Sequence, residues 1–195
     1  MSQKIYGFSN EIRAVGEENK MVLEGRAIVF NQPIVLYEFD GIKYKEIIAE
    51  TALDKVDLSD IVLRYNHNGE YIVLARTRNR SLALEKKLDG LYFKATLQDN
   101  IQAHRDVYNA VKSGLIDKMS FGFMVAVNGE QYNLSTHTRT VTEIRKLTDI
   151  SIVDQPAYES TYVEARSRLE KYTGIDVLRE SLIIKAEILK VRILL

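Results

Sequence analysis

Cysteine is absent from this chain of 195 residues. The absence excludes disulfide bonds, thiol catalysis and cysteine-based zinc sites, and it is compatible with a reducing compartment. Histidine is nearly as scarce, because the chain has only three. Any chemistry that depends on an imidazole must therefore use His67, His104 or His137.

An excess of charge of either sign is also missing. Lys and Arg together number 27, as do Asp and Glu, so the formal net charge is zero. Such a chain has no overall field to attract nucleic acid or an anionic membrane surface. The sequence therefore predicts neither nucleic acid nor membrane as a partner.

Long hydrophobic runs are the third absence. No segment approaches the ~20 apolar residues of a membrane-spanning helix, and residues 1–7 contain no apolar h-region, so no signal peptide is expected. The composition, 46% hydrophobic and 28% charged, is that of an ordinary globular protein. The length is enough for one domain with its own core, or one domain with an appendage.

Short apolar segments separated by turn residues dominate the first 157 residues. Three Asp-Gly or Asn-Gly pairs, at 40–41, 89–90 and 128–129, favour two-residue hairpins. A helix is predicted at 101–113, ending at Gly114, and a shorter one at 50–56. The pattern is typical of a mainly-β barrel or sandwich that carries a few helices. Strands are predicted at 21–30, 34–39, 42–48, 61–65, 71–77, 82–85, 91–97, 121–127, 131–134, 138–144 and 147–153.

The character of the chain changes after Pro156. Residues 158–195 contain no proline and one glycine, Gly174, with many Glu, Lys, Arg, Leu and Ile residues, which predicts helix. The apolar positions of 177–195 cover more than one helical stripe, so this segment should pack on the barrel or on a partner chain. We therefore predict a β-barrel domain at 1–157 and a helical tail at 158–195.

Ser120 and His67 are the first candidates for chemistry. Ser120 precedes an apolar segment and could present its hydroxyl to a cleft, while His67 follows a predicted strand in an Asn-His-Asn-Gly turn. An imidazole can accept and return a proton near neutral pH, and a serine hydroxyl is a weak nucleophile until a base is in reach. Spacing alone does not establish such a pair, because triads are defined in space.

A third group would have to orient the imidazole. Glu143 and Asp149 both lie on or near the strands that follow Ser120, and His137 is a further alternative. His104 is expected to be a surface or half-buried residue of the predicted helix. Neither His-x-His nor His-Glu-x-x-His spacing occurs, so no metal site is predicted. Gly-x-Ser-x-Gly, Walker and Gly-x-Gly-x-x-Gly motifs are also missing, which argues against an α/β-hydrolase or a nucleotide-binding protein.

Five short segments in order carry a resemblance to a known family. Over roughly residues 20–160, the chain resembles the prohead (capsid maturation) proteases of tailed bacteriophages, the HK97-type serine peptidases related to herpesvirus assemblins. The segments are Gly25 to Asn31, the histidine motif Tyr65 to Asn68 with Leu74 to Thr77, Asp89-Gly90-Leu91 with Ala103 to Asp106, the serine motif Met119 to Phe123, and Leu147 to Val153 with Pro156-Ala157.

The resemblance implies a fold and a set of site residues. The fold would be a herpesvirus-protease-like β-barrel ringed by helices. His67 would be the base and Ser120 the nucleophile, with no metal or cofactor required. The family pattern implies an acidic third member, for which Glu143 is the first choice and Asp149 the alternative. His137, in a predicted turn, is the least favoured.

The resemblance also implies a function. The chain would be a serine endopeptidase that cleaves the scaffold, or the scaffolding part of the major capsid protein, and itself. It would act inside the immature prohead, in the cytoplasm of the host bacterium. Analogy with the herpesvirus enzymes suggests a homodimer. The tail could dock to the scaffold or be removed by self-cleavage within 158–167.

Two other functions fit the same composition. A catalytically inactive β-barrel phage assembly or scaffolding protein would keep the barrel and the tail and give Ser120 no role; labelling with a fluorophosphonate distinguishes it from an enzyme. A lipocalin-type barrel for small molecules would have a large apolar cavity and continuous up-and-down hairpins. The predicted helix at 101–113 interrupts the strands and argues against that type.

Overall fold

The computed structural model describes residues 5–9, 11–17, 20–39 and 41–154. The predicted domain boundary after residue 157 and the predicted helical tail lie outside these residues. Within them the chain forms thirteen strands, one α-helix and one 3-10 turn. These are β1 (Ile5–Ser9), β2 (Glu11–Glu17), β3 (Lys20–Val29), β4 (Ile34–Phe39), β5 (Ile42–Ile48), a 3-10 turn (Glu50–Leu53), β6 (Val62–Tyr65), β7 (Ala75–Arg76), β8 (Leu82–Lys87), β9 (Gly90–Leu97), α1 (Gln102–Lys112), β10 (Lys118–Val125), β11 (Glu130–Asn133), β12 (Thr138–Val141) and β13 (Ile144–Val153).

The strands form three sheets. The first has the order β1-β10-β13-β6-β7, the second β2-β3-β9-β8 and the third β11-β12-β5-β4. The mainly-β prediction is therefore confirmed, but among the described residues the strands do not close into a barrel and α1 is the single α-helix. Apolar periodicity identifies a strand but does not indicate which strands pair with it. The pairing of strands decides whether a sheet stays open or closes into a barrel.

The hairpin predicted from the Asp-Gly pair at 40–41 is present. Phe39 pairs with Ile42 across a two-residue loop, and Gly41 has a positive φ of 75°, as an Asp-Gly hairpin requires. The Asn-Gly pair at 128–129 does not join paired strands, since β10 pairs with β1 and β13 while β11 pairs with β12. Strands β1 and β2 were not predicted, and the strand predicted at 71–77 is reduced to Ala75–Arg76.

The core lies on one face of the first sheet. Side chains alternate between the faces of a strand, so Met119, Phe121 and Phe123 of β10 share a face, and all three are buried in the core. The rings of Phe121 and Phe123 stack with centroids 5.2 Å apart. Ile150 and Ile152 of β13 pair with β10 and extend the same apolar face. The residues between them must therefore face the other way.

The central position of β13 determines what this sheet brings together. β13 runs antiparallel to β10 and parallel to β6, with Ile150 opposite Leu63 and Ile152 opposite Tyr65. It therefore lies between the strand that contains Ser120 and the strand that leads to His67. A side chain on the outer face of β13 can reach both.

A buried ion cluster joins the strands of the third sheet. The Arg139 guanidinium on β12, 9% exposed, donates to Glu46 of β5 at 2.5 Å and to Glu130 of β11. Burial opposes the charge on Arg139, but the two carboxylates outweigh it and raise the pKa of the guanidinium. The cluster connects three neighbouring strands whose pairing is otherwise made by backbone hydrogen bonds.

Candidate active site

The outer face of β10 and β13 carries a group of polar side chains. Ser120 pairs with Ser151 across the two strands, and Asp149 pairs with Gly122. Paired residues point to the same face of a sheet, so Ser120, Asp149 and Ser151 are neighbours on the side opposite the core. Gly122 has no side chain to occupy the space opposite the Asp149 carboxylate.

A β-bulge sets the position of Asp149. Leu147 pairs with Phe123 and Asp149 with Gly122, so Thr148 is an extra residue in β13. Such bulges bend the strand and change the direction of nearby side chains. Here the Thr148 hydroxyl reaches the Asp149 carboxylate, with its Oγ1 2.9 Å from Oδ1.

His67 is brought to the same face by a tight turn at the end of β6. Asn66 and His67 both have positive φ, 49° and 54°, and the Asn68 N–H donates to the Tyr65 carbonyl at 3.0 Å. The Asn66 side chain fixes the turn to the end of β13, where its Oδ1 accepts the N–H of Asp154 at 3.1 Å. Asparagine suits this position because it tolerates the left-handed region.

Ser120, His67 and Asp149 form one hydrogen-bonded chain. Nε2 of His67 lies 2.7 Å from Oγ of Ser120, and Nδ1 lies 2.5 Å from Oδ2 of Asp149. A carboxylate only accepts, so the ring proton belongs on Nδ1 and the Nε2 lone pair accepts the serine O–H. Ser120 is fully buried, Asp149 is 1% exposed and the His67 side chain is 12% exposed.

Glu143, the first choice for the third member, lies elsewhere. Its carboxylate pairs with Lys55 Nζ at 3.1 Å and is 41% exposed. Residues 142 and 143 interrupt the strand predicted there, and both backbone N–H groups donate to the Gly129 carbonyl. The alternative, Asp149, is the carboxylate that contacts the imidazole, with Oδ2 2.5 Å from Nδ1 of His67.

The other two histidines have structural surroundings. His137 lies in the turn between β11 and β12, with a φ of 49° and its ring 5.2 Å from that of Tyr44. His104 is 3% exposed, so the expected surface or half-buried position is wrong. Its Nδ1 accepts the Gln98 N–H at 3.0 Å and its Nε2 donates to the Val73 carbonyl at 3.2 Å. These two bonds require the neutral ring, and they join α1 to the segment that follows His67.

Stability should fall in mild acid because of His104. Burial lowers the pKa of His104 below its ordinary value of 6.5, although the bond to Val73 opposes the shift. The unfolded chain then binds more protons than the folded chain once the pH drops below about 6.5. The contribution of His104 to stability is full above that pH and is lost as the pH falls through the lower folded pKa. Urea unfolding midpoints at pH 8 and pH 5 measure the loss.

A pair of variants isolates this contribution. His104→Gln should lower the urea midpoint at pH 8 but flatten its dependence on pH. Thr138→Val, which removes a buried hydroxyl and no titrating group, should leave the pH dependence unchanged. Equal pH dependence in wild type and His104→Gln would contradict the prediction.

Sequence reasoning missed the groups around the carboxylate. Ser151 donates from Oγ to Oδ2 of Asp149 at 2.9 Å and is fully buried. The Asp-x-Ser spacing of 149 and 151 was available as a signal, because residues two apart on a strand share a face. The bulge at Thr148 and the role of Asn66 depend on strand pairing and leave no such pattern.

Metal-binding clusters and membrane-spanning helices are both absent from the described residues. In residues 5–154, apart from the gaps given above, no three His, Cys, Asp or Glu side chains cluster closely enough to hold a metal ion. Across the same part of the chain, no helix is long and apolar enough to cross a membrane.

The site and the fold can be compared with known proteins. A solved structure of the bacteriophage T4 capsid assembly protease, gp21, has the same fold, with a TM-score of 0.50 and 12% identity over 77% of this chain and 97% of that chain. The prohead protease of Enterobacteria phage HK97 is 27% identical over 173 residues, which are 87% of this chain and 69% of that protein. The family model of the caudovirus prohead serine proteases matches residues 8–174. This chain therefore belongs to the caudovirus prohead serine protease family.

Proposed function

We propose that this capsid maturation protease is a serine endopeptidase with Ser120 as nucleophile, His67 as general base and Asp149 as the third member. One observation carries the proposal: both ring nitrogens of His67 are engaged at once, Nε2 with the serine hydroxyl and Nδ1 with the carboxylate. Nucleophile, base and orienting group within hydrogen-bond reach are the signature of an activated serine.

The first half of the reaction forms an acyl-enzyme. Oγ of Ser120 attacks the scissile carbonyl carbon while Nε2 of His67 takes the hydroxyl proton. The imidazolium that results is stabilised by the Asp149 carboxylate at Nδ1. Collapse of the tetrahedral intermediate breaks the C–N bond, and Nε2 returns the proton to the leaving amine.

The second half hydrolyses the ester. A water molecule gives a proton to Nε2 and attacks the acyl carbon, and Ser120 leaves with that proton as the new carboxylic acid is released. The enzyme returns to its starting state. Neither half needs a metal ion or cofactor to activate the nucleophile.

Family membership supports proteins of the phage capsid as substrates. The proposed substrates are the scaffold, or the scaffolding part of the major capsid protein, and the protease itself. The proposed place of action is the interior of the prohead in the host cytoplasm. Self-cleavage within 158–167, docking of the tail to the scaffold and a homodimer are further parts of the proposal that the described residues do not reach.

A peptide substrate cannot reach Ser120 in the conformation described. Its side chain is fully buried, whereas the attack requires the scissile carbonyl within about 3–3.5 Å of Oγ. Some movement around the outer face of β10 must therefore precede acylation. The hydrogen bonds of the triad are already formed before it.

Labelling with a fluorophosphonate tests the nucleophile. The full-length wild type should be labelled at Ser120, and Ser120→Ala should lose the label completely because the alanine methyl cannot form the ester. Intact-mass analysis followed by peptide mapping locates the adduct. Ser113→Ala, which removes an exposed hydroxyl at the end of α1, is the matched control and should be labelled as the wild type is.

Two results would contradict the proposal. Labelling that persists in Ser120→Ala would assign the nucleophile to another residue. A wild type that is labelled neither free nor in assembled proheads would favour the inactive assembly protein instead.

A further inference from the structure

We propose that Ser151 is a positioning residue of this active site, whose buried hydroxyl holds the Asp149 carboxylate as the acceptor for the Nδ1–H of His67. The inference rests on the proposed function, because it assigns a role within the same hydrogen-bonded chain. It adds a fourth side chain to the three discussed above.

The contacts place two hydroxyl groups on one carboxylate. Oγ of Ser151 lies 2.9 Å from Oδ2 of Asp149, the same oxygen that accepts the Nδ1–H of His67 at 2.5 Å. Oγ1 of Thr148 lies 2.9 Å from the other oxygen, Oδ1. Each carboxylate oxygen therefore has a hydroxyl partner, and the plane of the carboxylate is fixed relative to the imidazole.

Backbone pairing with two neighbouring strands fixes the position of Ser151. Ser151 pairs with Ser120 of β10 on one side and with Arg64 of β6 on the other. Its side chain has no exposed surface. A residue paired on both sides within a central strand has a fixed Cα–Cβ direction, so the Ser151 hydroxyl stays on the face of the sheet that carries the Asp149 carboxylate.

The Ser151 hydroxyl also affects the protonation state of Asp149. Burial favours the neutral form of a carboxyl group, while hydrogen bonds donated to its oxygens favour the ionised form. A neutral Asp149 would keep its proton and donate a hydrogen bond to an unprotonated Nδ1, and the single ring proton would lie on Nε2. That tautomer cannot accept the proton of Ser120. By stabilising the ionised form of Asp149, Ser151 keeps the ring proton of His67 on Nδ1 down to a lower pH.

Steady-state kinetics on a peptide substrate give the first test. In Ser151→Ala the Asp149–His67 pair should take up a proton more readily, because the charged form has lost a donor. The acid limb of the kcat/KM profile should move up by about one pH unit, so that kcat/KM is about tenfold lower at pH values below both limbs, with KM little changed. The loss should shrink towards pH 9, where the pair is deprotonated in both proteins.

Two variants separate positioning from simple loss of a buried hydroxyl. Thr148→Val keeps the shape of the side chain and removes the donor to Oδ1, so it should shift the acid limb in the same direction. Thr138→Val removes another buried hydroxyl, which donates to the Thr136 carbonyl at 3.0 Å in the third sheet. It should lower the melting temperature and leave the pH profile where it is.

A measurement without catalysis keeps this inference separate from the proposed function. In full-length Ser120→Ala protein, the ring nitrogens of His67 can be titrated by NMR with and without Ser151→Ala. We expect the midpoint of proton uptake by the pair to rise by about one pH unit. An unchanged midpoint in folded protein that carries Ser151→Ala would overturn the role of Ser151, whether or not Ser120 is the nucleophile.

Discussion

Replacing Asp149 with asparagine should lower kcat by about 10³–10⁴-fold. The amide is nearly the same size as the carboxylate, so the buried site should stay folded. It can turn an N–H toward Nδ1 of His67, which then becomes an acceptor and moves the ring proton to Nε2. The nucleophile loses its base, while peptide binding is unaffected. Cleavage of a peptide substrate, with circular dichroism to check folding, measures the effect.

Glu143→Gln is the matched control for this substitution. It also replaces one carboxylate by an amide, but at a position paired with Lys55 and 41% exposed. Exposed ion pairs contribute little, so kcat should stay within about twofold of the wild type. If Glu143→Gln were crippled and Asp149→Asn active, the third member would be Glu143 and the hydrogen bond to Asp149 would be incidental.

Arg139→Ala should cause the largest loss of stability. The substitution removes the guanidinium that Glu46 and Glu130 share, and Glu46 is only 4% exposed. Losing one partner of a buried ion pair costs about 3–5 kcal/mol, because the remaining charge has been taken out of water. The free energy of unfolding, measured with urea at pH 7, should fall by that amount.

Arg13→Ala provides the comparison for an exposed pair. Arg13 bonds Glu24 at 2.7 Å on the second sheet, and its side chain is 77% exposed. Here the change in unfolding free energy should stay below about 1 kcal/mol. Similar losses in the two variants would mean that burial does not govern the strength of the Arg139 cluster.

Ser120 and His67 could be identified from the sequence as the proposed nucleophile and base for specific reasons. Only three histidines exist, and one of them ends a strand in an Asn-His-Asn-Gly turn. The residues around His67 and Ser120 also match one family in order. Neither their distance nor the orientation of the ring follows from those patterns, because both depend on the insertion of β13 between β10 and β6.

The carboxylate that contacts His67 was harder to predict because two local irregularities decide which one it is. Glu143 lies in a break between β12 and β13, where backbone N–H groups turn to Gly129. Asp149 follows a bulge at Thr148. A regular alternation of residues assumes neither feature, so it does not indicate that Asp149, and not Glu143, contacts the imidazole.

The layout of the sheets depended on long-range pairing. The hairpins β4–β5 and β8–β9 follow from Asp-Gly turns within a few residues. The parallel pairs β12–β5 and β13–β6 join residues more than 80 positions apart. No local pattern encodes such pairs. The sequence therefore predicts most of the strands, but the barrel expected from them is not formed by the described residues.

The central position of β13 has a consequence for the time at which the protease becomes active during synthesis. His67 and Ser120 leave the ribosome before residues 144–153, which form the strand between their own two strands. At about 5–20 residues per second, roughly 2–7 s separate Ser120 from the end of β13. During that interval a nascent chain contains the proposed nucleophile and base but cannot join them. If the triad acts as proposed, the chain cannot cut itself or its neighbours on the same polysome before its first sheet is complete.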